Sequence, residues 1–411
     1  MPTQTFTSQS PLLTAVRALH EGKLVGLPTE TVYGLAGNAL NSAALASIFE
    51  VKQRPHFDPL IVHLPAPPTS SDDERDAWWR GLFEGEILNT SGLPENGWIV
   101  AKNLAQSFWP GPLTMVLPKG RAISDLATSG LDTVAIRVPA HPLAQALLKE
   151  CRLPLAAPSA NRFGRISPTT SEHVHQELGD KIPSEIAIVL DGGPCTIGVE
   201  STVVQIVSTS SGISLLLLRP GAITSAELER VSAVSVVKGS FENTLENTLD
   251  HALEKPGLAA PGMLASHYAP KKMMILVNGE SSLAAEFQDL KTSLKTDPEI
   301  GLKAGMIHLT NSPSPLMQSC KKEIQSQIEK VSILETSFSK RSELSASDVA
   351  QNLFARMREL DEMPESEVEV LIIENYPDDA GLGAAIRDRL QRAATKRISN
   401  LGSVSSLLKG R

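Results

Sequence analysis

Apolar positions along the chain fall into two rhythms. In the first half, a short apolar run predicts a strand at Leu24 to Leu27, helical spacing predicts a helix over Ser42 to Lys52, and a second run predicts a strand at Leu60 to Leu64. Residues 66–97 are rich in Pro, Gly, Ser and acidic side chains and read as an exposed excursion, with Trp78 and Trp79 anchoring a short helix. Beyond it the pattern predicts a helix near Ile99 to Phe108, strands at Leu113 to Leu117 and Val134 to Val138, and a helix from Pro142 to Glu150. Three further strands are predicted near Ile186 to Leu190, Thr202 to Val207 and Leu215 to Leu218. Strands and helices mix without strict alternation, so residues 1–235 read as an α/β domain with a twisted mixed sheet.

The pattern weakens from Val236, and Lys255 to Pro270 carries Pro256, Pro261 and Pro270 without periodicity. Residues 236–270 therefore read as a linker. Beyond them strands at Met273 to Val277, Met306 to Leu309, Val331 to Leu334 and Val368 to Ile373 alternate with helices at Leu283 to Leu294, Met317 to Lys330, Ala346 to Leu360 and Ala384 to Ile398. Four successive βα units predict a parallel, Rossmann-like domain over 271–411.

Composition sharpens this picture. The 411 residues are 41% hydrophobic and 20% charged, which excludes a disordered or fibrous chain. No apolar run approaches the length of a membrane span, and the first residues show no secretory pattern, so a cytoplasmic protein is expected. Three widely spaced cysteines fit reduced thiols better than a disulfide or zinc framework. A net charge of −8 argues against a surface built to grip nucleic acid backbone.

Several segments place polar groups where apolar strands end. Leu27 to Ala39 crowds Thr29, Glu30, Thr31 and Tyr33 after the first strand, either as a ligand site or as an ordinary turn. Lys52 and Arg54 end a helix, and Pro55 and Pro59 stiffen the path to Asp58 and His63; the two cations suit a polyphosphate or simply complement the helix dipole. Arg137 lies within an apolar strand and needs an anion, either a substrate group or an internal carboxylate. The small-residue loop Leu155 to Thr170 adds Ser159, Asn161, Ser167, Arg162 and Arg165. Ser201, Thr202 and Arg219 stand at further strand ends. A P-loop, an HExxH helix, a paired-Cys zinc pattern and a nucleophile elbow are all missing, and GLGAAI at Gly381 to Ile386 is an incomplete dinucleotide fingerprint.

Taken together, PTETVYG, KQRPHFDPLIVHL, WPGPLT, TVAIRVPAHP, APSAN, SPTT, STVV, LRPGAI and HYAP resemble, in order and spacing, the threonylcarbamoyl-AMP synthase family. The resemblance covers a YrdC-like module over about residues 10–235 and the longer, two-domain members beyond it. It implies an enzyme that joins L-threonine, bicarbonate and ATP into threonylcarbamoyl-AMP and pyrophosphate. The threonylcarbamoyl group then passes, through a separate transferase, to adenosine 37 of tRNAs reading ANN codons. It implies a threonine pocket of Thr31, His63, Arg137, the Ala157 backbone and Ser201. It implies nucleotide contacts from Lys52, Arg54, Asp58, Thr133, Ser159, Asn161, Ser167, Arg219 and Tyr268, with Lys52 and Arg54 in the catalytic role. Asp58 stands where relatives often carry Asn. Mg²⁺ is expected to arrive on the ATP rather than on protein ligands, and tRNA contact to be weak or indirect.

The chemistry agrees with that resemblance, because a carbamate attacking a triphosphate needs its two anions positioned and screened rather than a protein nucleophile. A hydrogenase-maturation carbamoyltransferase shares the module but should carry paired-Cys zinc fingers, which this chain lacks. An RNA-presenting module should carry a basic, aromatic stripe, and none is present.

Overall fold

The computed structural model describes residues 10–68, 71–209, 212–238, 267–278, 302–327, 331–339 and 343–398. The chain divides into two units: Met1–Phe163 with Ser167–Leu264, and Gly164–Ile166 with Ala265–Arg411. The predicted helix at Leu283 to Leu294 and residues 239–266 of the predicted linker lie outside the described residues.

The first unit runs α1 (Pro11–His20), β1 (Leu24–Leu27), β2 (Gly34–Asn38), α2 (Ser42–Lys52), β3 (Ile61–His63), α3 (Asp72–Glu84), α4 (Glu95–Phe108), β4 (Leu113–Pro118) and α5 (Asp125–Thr128). It continues with β5 (Thr133–Arg137), α6 (Pro142–Cys151), β6 (Leu155–Ala156), α7 (Ser171–Leu178), β7 (Ile186–Val189), β8 (Thr202–Thr209), β9 (Gly212–Arg219), α8 (Ser225–Ser232) and β10 (Val236–Lys238). Its ten strands form one sheet in the order β10-β9-β8-β4-β5-β3-β6-β2-β1-β7. Parallel pairs such as β3 with β5 alternate with antiparallel ones such as β4 with β5, so the sheet is mixed as the sequence predicts.

The period of two along each strand decides what faces the core. Val62, Met115, Ile136 and Val204 enter the large core with Tyr33, Phe49 and Leu104. Ile61, Val116, Ala135, Val203 and Leu218 make a small apolar patch of their own. The strand ends beyond that patch carry the polar residues picked out in the sequence.

Several elements escape the hydrophobic pattern. β2 is built from Gly, Leu, Ala and Asn and has no β-branched residue to mark it, so its segment reads as a turn. Strand β10 pairs in parallel with β9 where the apolar pattern fades. Residues 66–97 are not an exposed excursion throughout. Helix α3 turns Trp79 and Leu82 inward, and Trp79 meets the rings of Trp78, Trp98 and Trp109 at centroid distances of 5.3, 6.3 and 6.2 Å. The acidic first turn, Asp72 to Glu74, suits the positive end of the helix and supplies the polarity that masks this aromatic anchor in the sequence.

The second unit holds β11 (Met273–Val277), β12 (Leu302–His308), β13 (Val331–Ser337), β14 (Val370–Glu374) and β15 (Lys396–Ile398). They lie in the order β13-β12-β14-β11-β15, and every pairing is parallel, a Rossmann-like α/β arrangement. Met317, Cys320 and Ile324 of the helix Pro315–Gln327 pack on Ala304, Met306, Val370 and Ile372. The predicted last helix is shorter than its apolar pattern suggests. It spans Gly381–Ala393, and the chain then forms β15 beside β11. The tripeptide Gly164–Ile166 belongs to this unit: Ala269 N–H donates to the Gly164 carbonyl at 2.7 Å, and Arg358 Nη2 to that of Ile166 at 2.6 Å. Among the described residues no helix is long and apolar enough to cross a membrane.

Replacing a buried tryptophan by alanine removes its transfer free energy and leaves a cavity, so Trp79→Ala is expected to lower unfolding stability by about 3–5 kcal/mol in a urea titration. A loss below about 1 kcal/mol, the range of surface substitutions, would return α3 to the surface.

Candidate active site

Strand register assembles the site. His63 pairs with Arg137, Arg137 with Thr114, Thr114 with Val203, and Val203 with Arg219, so one transverse row crosses β3, β5, β4, β8 and β9. Neighbouring strands lie about 4.8 Å apart, so His63 and Arg137, 74 positions apart in sequence, stand on adjacent strands, and Arg219 stands three strands, about 14 Å, from Arg137.

At the centre, Arg137 is 4% exposed. Its Nη1 donates to Thr31 Oγ1 at 2.8 Å, its Nε to the Gly111 carbonyl at 3.3 Å, and its Nη2 lies 2.7 Å from Glu30 Oε1. Thr29 Oγ1 shares a 2.9 Å hydrogen bond with Thr31 Oγ1 and donates to the Val32 carbonyl at 2.6 Å, which fixes the turn that delivers both Glu30 and Thr31. Of the two partners open to Arg137 at the sequence level, the internal carboxylate is present. Yet the pair is an ion pair without hydrogen-bond alignment: Arg137 Nη2 and both Glu30 carboxylate oxygens are buried with no hydrogen-bond partner.

His63 sits beside this pair, buried, with Nδ1 unpartnered. Burial, reinforced by the nearby Arg137 charge, pushes its pKa down to about 3, so the imidazole is neutral.

On the other side, Thr114 Oγ1 and Ser201 Oγ share a 2.7 Å hydrogen bond. Arg219 grips the same serine, donating from Nε to its carbonyl at 3.1 Å and from Nη2 to its hydroxyl at 3.1 Å. Gly221 lets the Arg219 segment approach this closely, since a Cβ there would lie 2.2 Å from Thr202 N.

Lys52 and Arg54 form a second cluster at the end of α2. The buried Lys52 ammonium donates to the Ser159 carbonyl at 2.6 Å and to the Asn161 carbonyl, so it ties down the loop that follows β6. Desolvation, with Arg54 adding to it, holds its pKa well below the usual lysine range. Arg54 pairs with Asp58 at 2.8 Å, donates to the Asp58 and Pro59 carbonyls at 3.0 and 2.8 Å, and lies 5.8 Å from the Phe163 ring centroid. Both cations thus organise backbone around the site as well as offering charge.

The remaining sequence-derived residues divide. Asn161 Nδ2 donates to the Arg162 carbonyl at 2.7 Å, and Ser167 Oγ to Glu200 Oε1 at 2.6 Å. The Ala157 N–H donates to the Ile61 carbonyl at 2.9 Å, which ties this backbone to β3. Thr133 opens β5, four residues before Arg137 and so about 13 Å along the strand. Tyr268 belongs to the second unit, where its buried ring meets Phe354 at 5.5 Å and lies 5.5 Å from the Arg389 guanidinium. Thr114 and Glu200 join these networks without appearing among the sequence-derived site residues, and Glu30, noted in the polar turn after the first strand, joins them without a role assigned from the sequence. Glu30 and Thr114 lie inside the motifs PTETVYG and WPGPLT, and Glu200 immediately precedes STVV. Among the described residues no three His, Cys, Asp or Glu converge as a metal site.

Comparison with known proteins places this geometry. Residues 17–221 match the Sua5/YciO/YrdC family model, described as "Telomere recombination", and residues 223–395 match the model for the threonylcarbamoyl-AMP synthase C-terminal domain. A threonylcarbamoyl-AMP synthase of Bacillus subtilis is 38% identical over 400 residues, covering 95% of each chain. One from Pyrococcus abyssi is 34% identical over 382 residues, covering 92% of this chain and 93% of its own. The chain belongs to the threonylcarbamoyl-AMP synthase family. Among solved structures, P. abyssi Sua5 complexed with L-threonine matches this family member with a TM-score of 0.67 and 32% identity, covering 94% of this chain and 96% of that one.

His63 gives a test of the site's desolvation. The unfolded chain binds a proton at this residue below about pH 6.5 and the folded chain does not until about pH 3. Folding stability should therefore fall as pH falls through that window, with His63 contributing up to about 1.4 kcal/mol per pH unit. His63→Gln should show a shallower loss on acidification in parallel urea titrations. Equal losses in the two chains would mean that His63 is solvated.

Proposed function

We propose that the first unit condenses L-threonine, bicarbonate and ATP into threonylcarbamoyl-AMP with release of pyrophosphate. One observation carries the residue-level reading. Arg137 Nη2 and the Glu30 carboxylate are buried side by side with unsatisfied hydrogen bonds, matching in charge and order the head of a zwitterionic amino acid. The threonine carboxylate takes Arg137, its ammonium takes Glu30, and the neutral His63, Thr31, Ser201 and the Ala157 carbonyl line the pocket.

Attack on bicarbonate requires the free amine, and Glu30 is the carboxylate placed to accept the ammonium proton. The amine nitrogen then bonds to the bicarbonate carbon, water leaves, and a carbamate forms. A carbamate oxygen attacks the α-phosphorus of ATP in line, and pyrophosphate departs. Arg219, Arg54 and Lys52 screen the two anions, with Asp58, Thr133, Ser159, Asn161 and Ser167 completing the nucleotide contacts in this proposal. The chain's own carboxylates near these cations are engaged, Asp58 by Arg54 and Glu200 by Ser167, and assemble no metal seat among the described residues. Mg²⁺ is assigned to the nucleotide phosphates, whose charge it offsets. The product passes to a separate transferase acting on adenosine 37 of tRNAs reading ANN codons, and we place the enzyme in the cytoplasm.

Pyrophosphate release should depend on both threonine and bicarbonate, with threonylcarbamoyl-AMP identified by mass spectrometry; release without threonine would reject the reaction. Arg137→Lys keeps the charge but loses the planar fork, so the threonine KM should rise by about tenfold or more while the ATP KM changes little. Glu30→Gln should lower kcat by about a hundredfold and alter the pH–rate profile. An unchanged profile would remove Glu30 from proton transfer.

A further inference from the structure

Chemistry-bearing groups also converge in the second unit, at the carboxyl edge of its sheet. β12 and β14 are neighbours, and their connections depart in opposite directions. β12 leads to the helix Pro315–Gln327 and on to β13, whereas β14 leads to the helix Gly381–Ala393 and on to β15. Such a divergence opens a crevice outside the strand ends, the place where open α/β sheets take ligands.

Two buried side chains stand there. His308 ends β12 and Glu374 ends β14, one step beyond the paired Ile307 and Ile373, so they share a face of the sheet about one strand spacing apart. His308 is 4% exposed and Glu374 is 8% exposed. Ser314, at the start of the helix Pro315–Gln327, donates to Glu374 Oε1 at 2.6 Å, and Glu374 Oε2 has no partner. His308 Nδ1 makes no hydrogen bond, whereas Nε2 faces Glu335 Oε1 at 3.6 Å. Buried groups of this kind normally find partners, so two open positions side by side, Glu374 Oε2 and His308 Nδ1, mark a place prepared for something else.

The open positions define what fits. Glu374 Oε2 accepts, while a neutral imidazole donates from one nitrogen and accepts at the other. Desolvation raises the pKa of Glu374 and lowers that of His308, in keeping with a poorly hydrated pocket. A bare anion would meet the Glu374 carboxylate. A cation would bring a full charge into a buried place, whereas neutral hydroxyls supply the donors and acceptors at lower cost.

We propose that the crevice between the ends of β12 and β14 is a second ligand site, in which Glu374 and His308 grip the vicinal diol of a sugar or ribonucleoside. Nothing in the reaction assigned to the first unit uses these groups.

Hydrogen–deuterium exchange of the full chain with adenosine, 2′-deoxyadenosine and D-ribose tests this locally. Adenosine should slow exchange in residues 302–316 and 370–378, and 2′-deoxyadenosine, which lacks the diol, should not. Protection by D-ribose as well identifies a sugar as sufficient; protection by adenosine alone identifies the nucleoside. Glu374→Gln and His308→Gln should each raise the half-saturating adenosine concentration about tenfold while leaving basal pyrophosphate release unchanged. The proposal fails if neither adenosine nor D-ribose slows exchange there at millimolar concentration. It fails equally if 2′-deoxyadenosine protects as well, or if both variants respond like the parent.

Discussion

A guanidinium or ammonium at the end of an apolar strand must be paired before any ligand arrives, because the free energy of burying an isolated charge exceeds what a domain can absorb. That constraint shapes the first unit. Arg54 is held by Asp58 and two carbonyls, Lys52 by the carbonyls of Ser159 and Asn161, Arg137 by Glu30 and Thr31, and Arg219 by Ser201. The cations proposed to bring a carbamate against a triphosphate are therefore each charge-paired or held by carbonyls within the fold. Each pair also fixes a backbone segment, so the positive groups are preorganised rather than flexible, which is what electrostatic stabilisation of a developing charge requires.

The quality of pairing differs among these cations, and the difference is informative. Arg54 makes aligned hydrogen bonds to two backbone carbonyls, and Arg219 to both the carbonyl and the hydroxyl of Ser201. Arg137 and Glu30 touch as charges but leave hydrogen bonds unmade on both sides. Low dielectric keeps the two ions together, and in the proposed reading an amino acid adds hydrogen bonds without first breaking better ones. In that reading a ligand offering only one of the two charges leaves the other member of the pair underbonded.

Much of the first unit is legible in the sequence because its strands are apolar runs and its helices carry clear caps. Arg137 betrays itself as a charge among Val134, Ala135, Ile136 and Val138, and Lys52, Arg54, Asp58 and His63 cluster within twelve positions. What the sequence hides is lateral. Thr114 reads as one polar residue in an apolar strand, and only the antiparallel register of β4 against β5 sets it beside Arg137. Glu30 is visible as part of a polar turn, but its partner lies 107 residues away, and no local pattern encodes that distance. β2 and α3 are obscured for opposite reasons: one is made of small residues without β-branching, and the other hides its tryptophans behind an acidic first turn.

The two sheets answer the same problem differently. In the first unit, mixed pairing brings residues from strands running in both directions into one row, so polar groups from strand ends and strand interiors meet over a small apolar patch. In the second, every strand runs the same way, so polar side chains collect along one edge, where His308, Ser337, Glu374 and Asn375 follow their strands' last apolar residues. The interior of such a sheet is uniformly apolar, as Ile275, Met306 and Ile372 show, and tolerates no charge. Polar groups at that edge would normally be solvated or paired with one another. Asn375 follows that expectation by donating to Asn278 at 2.6 Å, and Ser337 does so by donating to the Ser339 carbonyl at 2.8 Å. Glu374 Oε2 and His308 Nδ1 do not, and a fold that satisfies their neighbours so readily has left them open where the chain connections diverge.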